Sequence, residues 1–126
     1  MGPAVRQMCA DSAKRGHPLD HVVIELSGVA DPSVVNFLLS EADIEVDRVV
    51  TLVDSQAFPG MWQSEEVMKE RDDLTGGKAA VEADPCVTDR RVVDLLTTQI
   101  EQANVMVVNK ADVASQDEIE TTIAVC

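Results

Sequence analysis

The sequence predicts an α/β protein built around a parallel sheet, and three observations support that prediction. Short runs rich in valine and isoleucine alternate along the chain with longer stretches whose apolar residues recur at helical spacing. The short runs are apolar at nearly every position, which is typical of strands buried on both faces of a parallel sheet. Strands that alternate with helices join through right-handed crossovers, so the order of elements also favours parallel strands.

Three runs are predicted to be strands: residues 21–27 (HVVIELS), residues 48–54 (RVVTLVD) and residues 104–109 (NVMVVN). The order along the chain is strand, helix, strand, then a long connection and a further helix before the third strand. We expect all three strands to lie in one sheet.

The helices are predicted from capping residues and from apolar spacing. Asp31 can cap a helix whose first residue is Pro32, and Ser115 with Glu118 forms a capping box for the last helix. The helix after Pro32 has four apolar residues on one side: Val34, Val35, Leu38 and Leu39. A helix within residues 87–103 has its own apolar stripe: Val92, Leu96, Ile100 and Ala103.

Composition limits the class of protein. The chain has 126 residues, 45% of them hydrophobic, so we predict a single domain over residues 1–126. Its 10 lysines and arginines against 23 aspartates and glutamates give a net charge of -13, and so acidic a surface repels nucleic acids and anionic membranes. No apolar run reaches the roughly 18 residues of a membrane-spanning helix, and there is no signal-type apolar core near Met1. The expected location is the cytoplasm or an organelle interior.

The cysteines give no sign of a metal site or a disulfide framework. Cys9, Cys86 and Cys126 are odd in number and widely spaced, which leaves no pair at metal-ligand spacing. Their simplest interpretation is as thiols of the core or the surface.

Residues 55–85 are predicted to be a loop-rich insertion. They contain the only tryptophan and much local charge, with one helix expected around residues 65–73. The stretch TGGKAA resembles part of a phosphate loop. That pattern requires a glycine where Asp72 stands and a serine or threonine where Ala79 stands, so Lys78 is not predicted to bind phosphate.

The third predicted strand ends in Asn109, Lys110, Ala111 and Asp112, a sequence suited to guanine recognition. Guanine presents two N–H donors on one edge, and the carboxylate of Asp112 can accept both, whereas adenine would leave that charge unpaired. Asn109 can donate to the opposite side of the base, and the stem of Lys110 can lie along the ring. Ligands of open parallel sheets bind beyond the carboxyl ends of the strands, where these residues stand. The alternative is an ordinary polar surface loop.

The first predicted strand carries a second candidate group, Glu25 and Gly28, within VVIELSGVADP. A carboxylate in a buried strand needs a cation or hydrogen-bond donors, and a hydrated Mg²⁺ is one candidate. Gly28 would let a backbone N–H approach a terminal phosphate closely. The alternative is that Glu25 faces solvent on an edge strand while Gly28 makes a turn.

Three stretches in this order, IELSGVADP, VVTLVDSQAF and QIEQANVMVVNKADV, resemble the CobW-like GTPases, also called cobalamin-synthesis-protein-like metallochaperones. The resemblance covers residues 20–113. It implies a sheet of the P-loop GTPase type in which Asn109, Lys110 and Asp112 bind guanine. It also implies that Gly28 faces the γ-phosphate and that Glu25 holds Mg²⁺ through water. Asp54 matches the family's Val-Asp strand end.

The resemblance also implies a function. The expected cofactors are GTP and Mg²⁺, and hydrolysis of GTP is expected to be coupled to delivery of zinc or cobalt to a client protein. The alternative is a non-catalytic α/β interaction module derived from such a GTPase. A dinucleotide oxidoreductase is disfavoured, because the sequence lacks G-x-G-x-x-G.

Two motifs of that family, a Gly-rich phosphate loop and a Cys-x-Cys-Cys metal motif, do not occur in these 126 residues. We therefore expect an incomplete sheet without its first strand, and no ligands for the cargo metal. The 126 residues alone are expected to show no GTPase activity and to bind GTP only in the millimolar range, about -4 kcal/mol. They are also expected to associate through the open sheet.

Overall fold

The computed structural model describes residues 1–71 and 89–126. They form two compact units, a helical unit of residues Met1–Asp47 and a sheet unit of residues Arg48–Cys126. The elements in chain order are α1 (Gly2–Lys14), α2 (Pro32–Ser40), β1 (Val50–Asp54), α3 (Phe58–Trp62), a 3-10 turn (Met68–Glu70), α4 (Val92–Glu101), β2 (Val105–Asn109) and α5 (Gln116–Val125).

The helical unit consists of α1 packed against α2. As predicted, α2 begins at Pro32, and an Asp31 side-chain oxygen accepts a 2.9 Å hydrogen bond from the Ser33 N–H. At the start of α1, a Cβ added to Gly2 would lie 2.2 Å from the Ala42 Cβ. A glycine is therefore required for the two segments to approach so closely.

The predicted strand at residues 21–27 is wrong, because this segment forms no strand. A strand is stabilised by backbone hydrogen bonds to a neighbour, and no described residue pairs with this segment. Val23 is 91% exposed, so burial does not replace the missing pairing. An apolar run was sufficient to suggest a strand but not to make one.

The other two predicted strands are confirmed as β1 and β2. They pair in parallel, with Val50 opposite Val105 and Asp54 opposite Asn109. Within the described residues they make a two-stranded sheet, and the protein is of the α/β class as predicted. The connection from β1 to β2 includes α3 and α4, which is the crossover that parallel strands require.

The core of the sheet unit lies between the sheet and the helices beside it. Among these helices, α3 contacts both α4 and α5. Its buried apolar residues are Val53, Phe58, Met68, Val92 and Leu95. The rings of Phe58 and Trp62 stack with centroids 5.6 Å apart. Helix α3 has no counterpart among the predicted elements, although it supplies Phe58 to the core.

The helix predicted around residues 65–73 is only the 3-10 turn Met68–Glu70 within the described residues. Its tight hydrogen bonding suits a short connector. Asp72, Lys78, Ala79 and Cys86, which entered the sequence predictions, lie outside the described residues.

The predicted apolar stripes are only partly correct. In α4 the buried residues are Val92 and Leu95, while Leu96 is half-buried. Of the four residues of the predicted α2 stripe only Leu39 is buried, whereas Val34 is 55% exposed and Leu38 is 44% exposed. Helical spacing identifies a potential contact face, but the neighbours that are present decide which part of that face is covered.

The capping box of α5 is confirmed. The Ser115 hydroxyl accepts a hydrogen bond from the Glu118 N–H at 3.3 Å, and the Ser115 N–H donates to the Glu118 carboxylate at 2.7 Å. Donation to the Glu118 carboxylate by the Ser115 N–H, and by the Ser115 hydroxyl at 2.8 Å, lowers the pKa of this carboxyl. Helix α5 therefore begins at a fixed position directly after β2 and the loop that follows it.

One face of the sheet carries exposed apolar side chains. Alternate positions of the two paired strands share this face: Val50, Leu52, Val105 and Val107, all at least 38% exposed.

Among the helices of the described residues, none has the length and apolar content needed to cross a membrane.

Candidate functional site

The carboxyl ends of β1 and β2 meet at the same edge of the sheet, because Asp54 and Asn109 are paired in the parallel register. The segment Asn109–Lys110–Ala111–Asp112, called the base loop below, begins at this edge. Its position beyond the carboxyl end of a parallel strand is the usual position of a ligand site in such sheets.

The base loop is tied to β1 through the carbonyl of Asn109. This oxygen accepts hydrogen bonds from the Ser55 N–H at 3.1 Å and from the Ser55 hydroxyl at 2.7 Å. Ser55 is completely buried, so the donor side of both bonds is removed from water. They fix the distance between the end of β1 and the beginning of the loop.

Lys110 holds the backbone of the loop in a left-handed turn. Its φ of 59° lies in a region that side chains other than glycine seldom occupy. The Lys110 carbonyl accepts hydrogen bonds from the N–H groups of Val113 and Ala114, each at 3.1 Å. These contacts compensate for the unfavourable conformation and turn the chain toward α5.

The side chain of Lys110 donates a 2.7 Å hydrogen bond to an oxygen of Asp54. The other Asp54 oxygen accepts from the N–H groups of Gln56 at 3.1 Å and Ala57 at 3.3 Å. Donation by Lys110 lowers the pKa of the Asp54 carboxyl, and partial burial opposes it. A lowered pKa means that this contact stabilises the fold above the ordinary value of 3.8 and that the contribution is lost as the pH falls further.

The side chains of Asn109, Lys110 and Asp112 are all exposed. The structure therefore brings the three predicted guanine-binding residues together on one short exposed loop. Their assignment to guanine stays a prediction. The backbone of this loop is held by neighbouring groups, while its polar side chains are accessible to a ligand.

Glu25 and Gly28 lie in the helical unit. The expectation that Glu25 occupies a buried strand is wrong, since its segment is not a strand and the residue is exposed. An exposed carboxylate needs no internal counter-charge. The chain turns at Gly28, with the Ala30 N–H donating to the Ser27 carbonyl at 2.9 Å. Among the described residues, nothing lies within 4 Å of a Cβ added to Gly28, so none of them requires glycine there. The roles of Glu25 toward Mg²⁺ and of Gly28 toward phosphate stay predictions.

The described residues hold no cluster of three or more histidine, cysteine, aspartate or glutamate side chains suited to a metal ion. Mg²⁺ commonly keeps several waters and takes only one or two carboxylates together with substrate phosphates. A single exposed carboxylate such as Glu25 therefore fits a magnesium ion bound through nucleotide, but not a site made of protein alone. Cys9 and Cys126 are half-buried free thiols, and burial raises the pKa of the Cys126 thiol.

Asp54 and Ser55 contact the base loop, although they were not predicted as site residues. The signal that could have identified them is positional. Asp54 ends β1, the strand paired with β2, and Ser55 directly follows it, so both had to lie beside the residues that end β2.

Comparison with known proteins agrees with the resemblance drawn from the motifs. The family described as "CobW/HypB/UreG, nucleotide-binding domain" matches residues 3–125. A curated relative, "Zinc-regulated GTPase metalloprotein activator 1" of Dictyostelium discoideum, is 30% identical over 112 residues, which cover 81% of this chain and 22% of the relative. The chain thus spans about a fifth of the length of that relative. No solved structure gives a significant match. This chain belongs to the CobW/HypB/UreG family of nucleotide-binding domains.

Proposed function

We propose that the intact protein containing this chain is a GTP-binding metallochaperone that couples GTP hydrolysis to metal delivery. The observation that carries the proposal is the base loop, whose Asn109, Lys110 and Asp112 side chains are exposed together at the carboxyl edge of a parallel sheet. Membership of a nucleotide-binding family supports it. We also propose that β1 and β2 are two strands of a sheet of the P-loop GTPase type.

Asp112 recognises guanine in this proposal. Its carboxylate accepts hydrogen bonds from N1–H and from the exocyclic amino group of the base, a bidentate and charge-assisted arrangement. Adenine lacks both donors and would leave the carboxylate unpaired. Asn109 supports the opposite side of the base, and the apolar stem of Lys110 covers one ring face.

Glu25 and Gly28 act at the phosphates in this proposal. Glu25 holds Mg²⁺ through a water molecule, and Mg²⁺ would supply positive charge where negative charge develops during hydrolysis. The backbone at Gly28 approaches the γ-phosphate in this proposal, and no described atom lies within 4 Å of a Cβ added to this residue. Exposure of Glu25 is compatible with this role.

The cargo of the intact protein is a transition metal such as zinc or cobalt, handed to a client protein. The support comes from the relative, whose name describes a zinc-regulated activator of metalloproteins. Within the ranges 1–71 and 89–126 no cluster of metal ligands is available for that cargo. We therefore assign no cargo ligands in this part of the chain.

The test is calorimetric titration of the intact protein with GTP and with ATP, both in excess Mg²⁺. We expect binding of GTP and at least a hundredfold weaker binding of ATP, because ATP leaves the Asp112 carboxylate unpaired. Asp112→Ala should remove most of that preference. Asp117→Ala, which changes an exposed carboxylate in the first turn of α5, is the matched control and should preserve it. Equal affinity for GTP and ATP would contradict the proposal.

A further inference from the structure

Asp54 makes a contact with the base loop that goes beyond an ordinary surface ion pair. One oxygen accepts from Lys110 at 2.7 Å, while the other accepts from the backbone N–H groups of Gln56 and Ala57. These two backbone contacts hold the carboxylate at the end of β1 independently of its contact with Lys110. Its side chain is 32% exposed and that of Lys110 is 53% exposed.

Lys110 is the residue of the loop whose conformation most needs support. Its backbone has a φ of 59°, and such conformations persist where surrounding contacts hold them. A free lysine side chain samples many rotamers, and binding a base along its stem would have to restrict them. A stem whose ammonium is already held by Asp54 loses less of this freedom on binding.

We propose that Asp54 is a positioning residue of the guanine site, which fixes the side chain of Lys110 and thereby prepares the base loop for the nucleotide. This inference rests on the proposed function. Asp54 itself does not contact the base. It acts through Lys110, and it links the ends of the two paired strands into one binding edge.

Another ion pair of the sheet unit offers a comparison. Arg91 donates to Asp94 at 3.0 and 2.7 Å, three residues apart at the beginning of α4. That pair connects neighbours on one helix, and exposed pairs of this kind contribute little. The Asp54 pair joins residues 56 positions apart in the chain, so it can influence how two elements are arranged.

The test is a double-mutant cycle of GTP affinity in the intact protein. Asp54→Asn keeps an oxygen that can accept from Gln56 and Ala57 but loses the charge that holds Lys110. We expect this change to weaken GTP binding about tenfold. In a Lys110→Met background the same change should cost less than about twofold, because the contact is already absent. Asp94→Asn is the matched control and should change affinity less than about twofold.

A second measurement needs no nucleotide. Carboxyl ¹³C titration of the Lys110→Met protein should show the Asp54 pKa raised toward its ordinary range, because its principal donor has been removed. Additive losses in the cycle, or an Asp54 titration unaffected by Lys110→Met, would overturn the inference. Failure of the unmodified protein to bind GTP would overturn the proposed function and the inference with it. GTP binding with additive losses would overturn the inference alone.

Discussion

Residues 21–27 and strand β2 have the same kind of sequence and different structures. Both are short and consist largely of valine and other apolar residues. Residues 105–109 pair with β1 along five positions, whereas residues 21–27 have no strand partner in the described parts of the chain. A valine-rich run therefore specifies the ability to form a strand, and a partner strand decides whether one forms.

The two candidate groups of site residues differ in the same way. The base loop follows a paired strand, and its backbone is held by Ser55 and by the turn at Lys110. Glu25 lies within residues 21–27, which form no strand, and Gly28 directly follows them; both residues are exposed. A polar residue after a paired strand has a fixed position before any ligand arrives, and this supports its use in recognition.

Asp112→Asn, a substitution in the base loop, is expected to have the largest effect on nucleotide binding. An asparagine amide can donate to the xanthine oxygen that replaces the guanine amino group, so the intact variant should prefer xanthosine triphosphate over GTP. We expect the ratio of the two affinities to change about a thousandfold. Competition binding with both nucleotides measures it, with Asp117→Asn as the control. An unchanged preference would remove Asp112 from the base site.

Glu25→Ala tests the segment that forms no strand, and it should affect GTP hydrolysis more than nucleotide binding. If Glu25 holds Mg²⁺ through water, its loss should slow GTP hydrolysis about a hundredfold, because the ion stabilises charge that develops on the phosphates. GDP affinity should change much less. Steady-state turnover across Mg²⁺ concentrations is the measurement, and Glu45→Ala, an exposed glutamate of the same unit, is the control. Wild-type rates at every Mg²⁺ concentration would exclude this role.

Ser55→Ala should loosen the connection between β1 and the base loop. The substitution removes a 2.7 Å hydrogen bond from a fully buried hydroxyl to the Asn109 carbonyl. The expected loss is about 1–2 kcal/mol in the free energy of unfolding. Urea unfolding measures it, and Ser40→Ala at the exposed end of α2 should cost far less. Equal losses for both variants would show that the buried hydroxyl has no special role.

Ser115→Ala should have the smallest effect. It removes the cap of α5, the helix that follows the base loop, at an expected cost of about 1 kcal/mol. Thr121→Ala, at an exposed position of the same helix, provides the comparison. If thermal unfolding shows no difference between these variants, the capping box does not anchor the helix.

Local signals predicted much of this fold correctly. The caps at Asp31 and Ser115 and the strands of residues 48–54 and 104–109 are confirmed. Each depends on a local pattern or on alternation along the chain. The strand at residues 21–27 was wrong because pairing depends on a distant partner. Helix α3 was missed because FPGMW is too short for a recognisable period.

For the candidate site, the sequence identified the exposed loop but not its supports. Asn109, Lys110 and Asp112 belong to one short motif, so their proximity follows from the sequence alone. The contact of Asp54 with Lys110 spans 56 positions. It becomes predictable only once the parallel register of β1 and β2 is known.

Recognition of the guanine edge by Asp112 can be tested by comparing the binding of GTP with that of inosine triphosphate. Inosine lacks only the exocyclic amino group of guanine, so in the intact protein it should bind about tenfold to a hundredfold more weakly than GTP. In Asp112→Ala the two nucleotides should bind equally, because the acceptor of that amino group is absent. A GTP preference that survives Asp112→Ala would contradict the account, since another group would then be recognising the base.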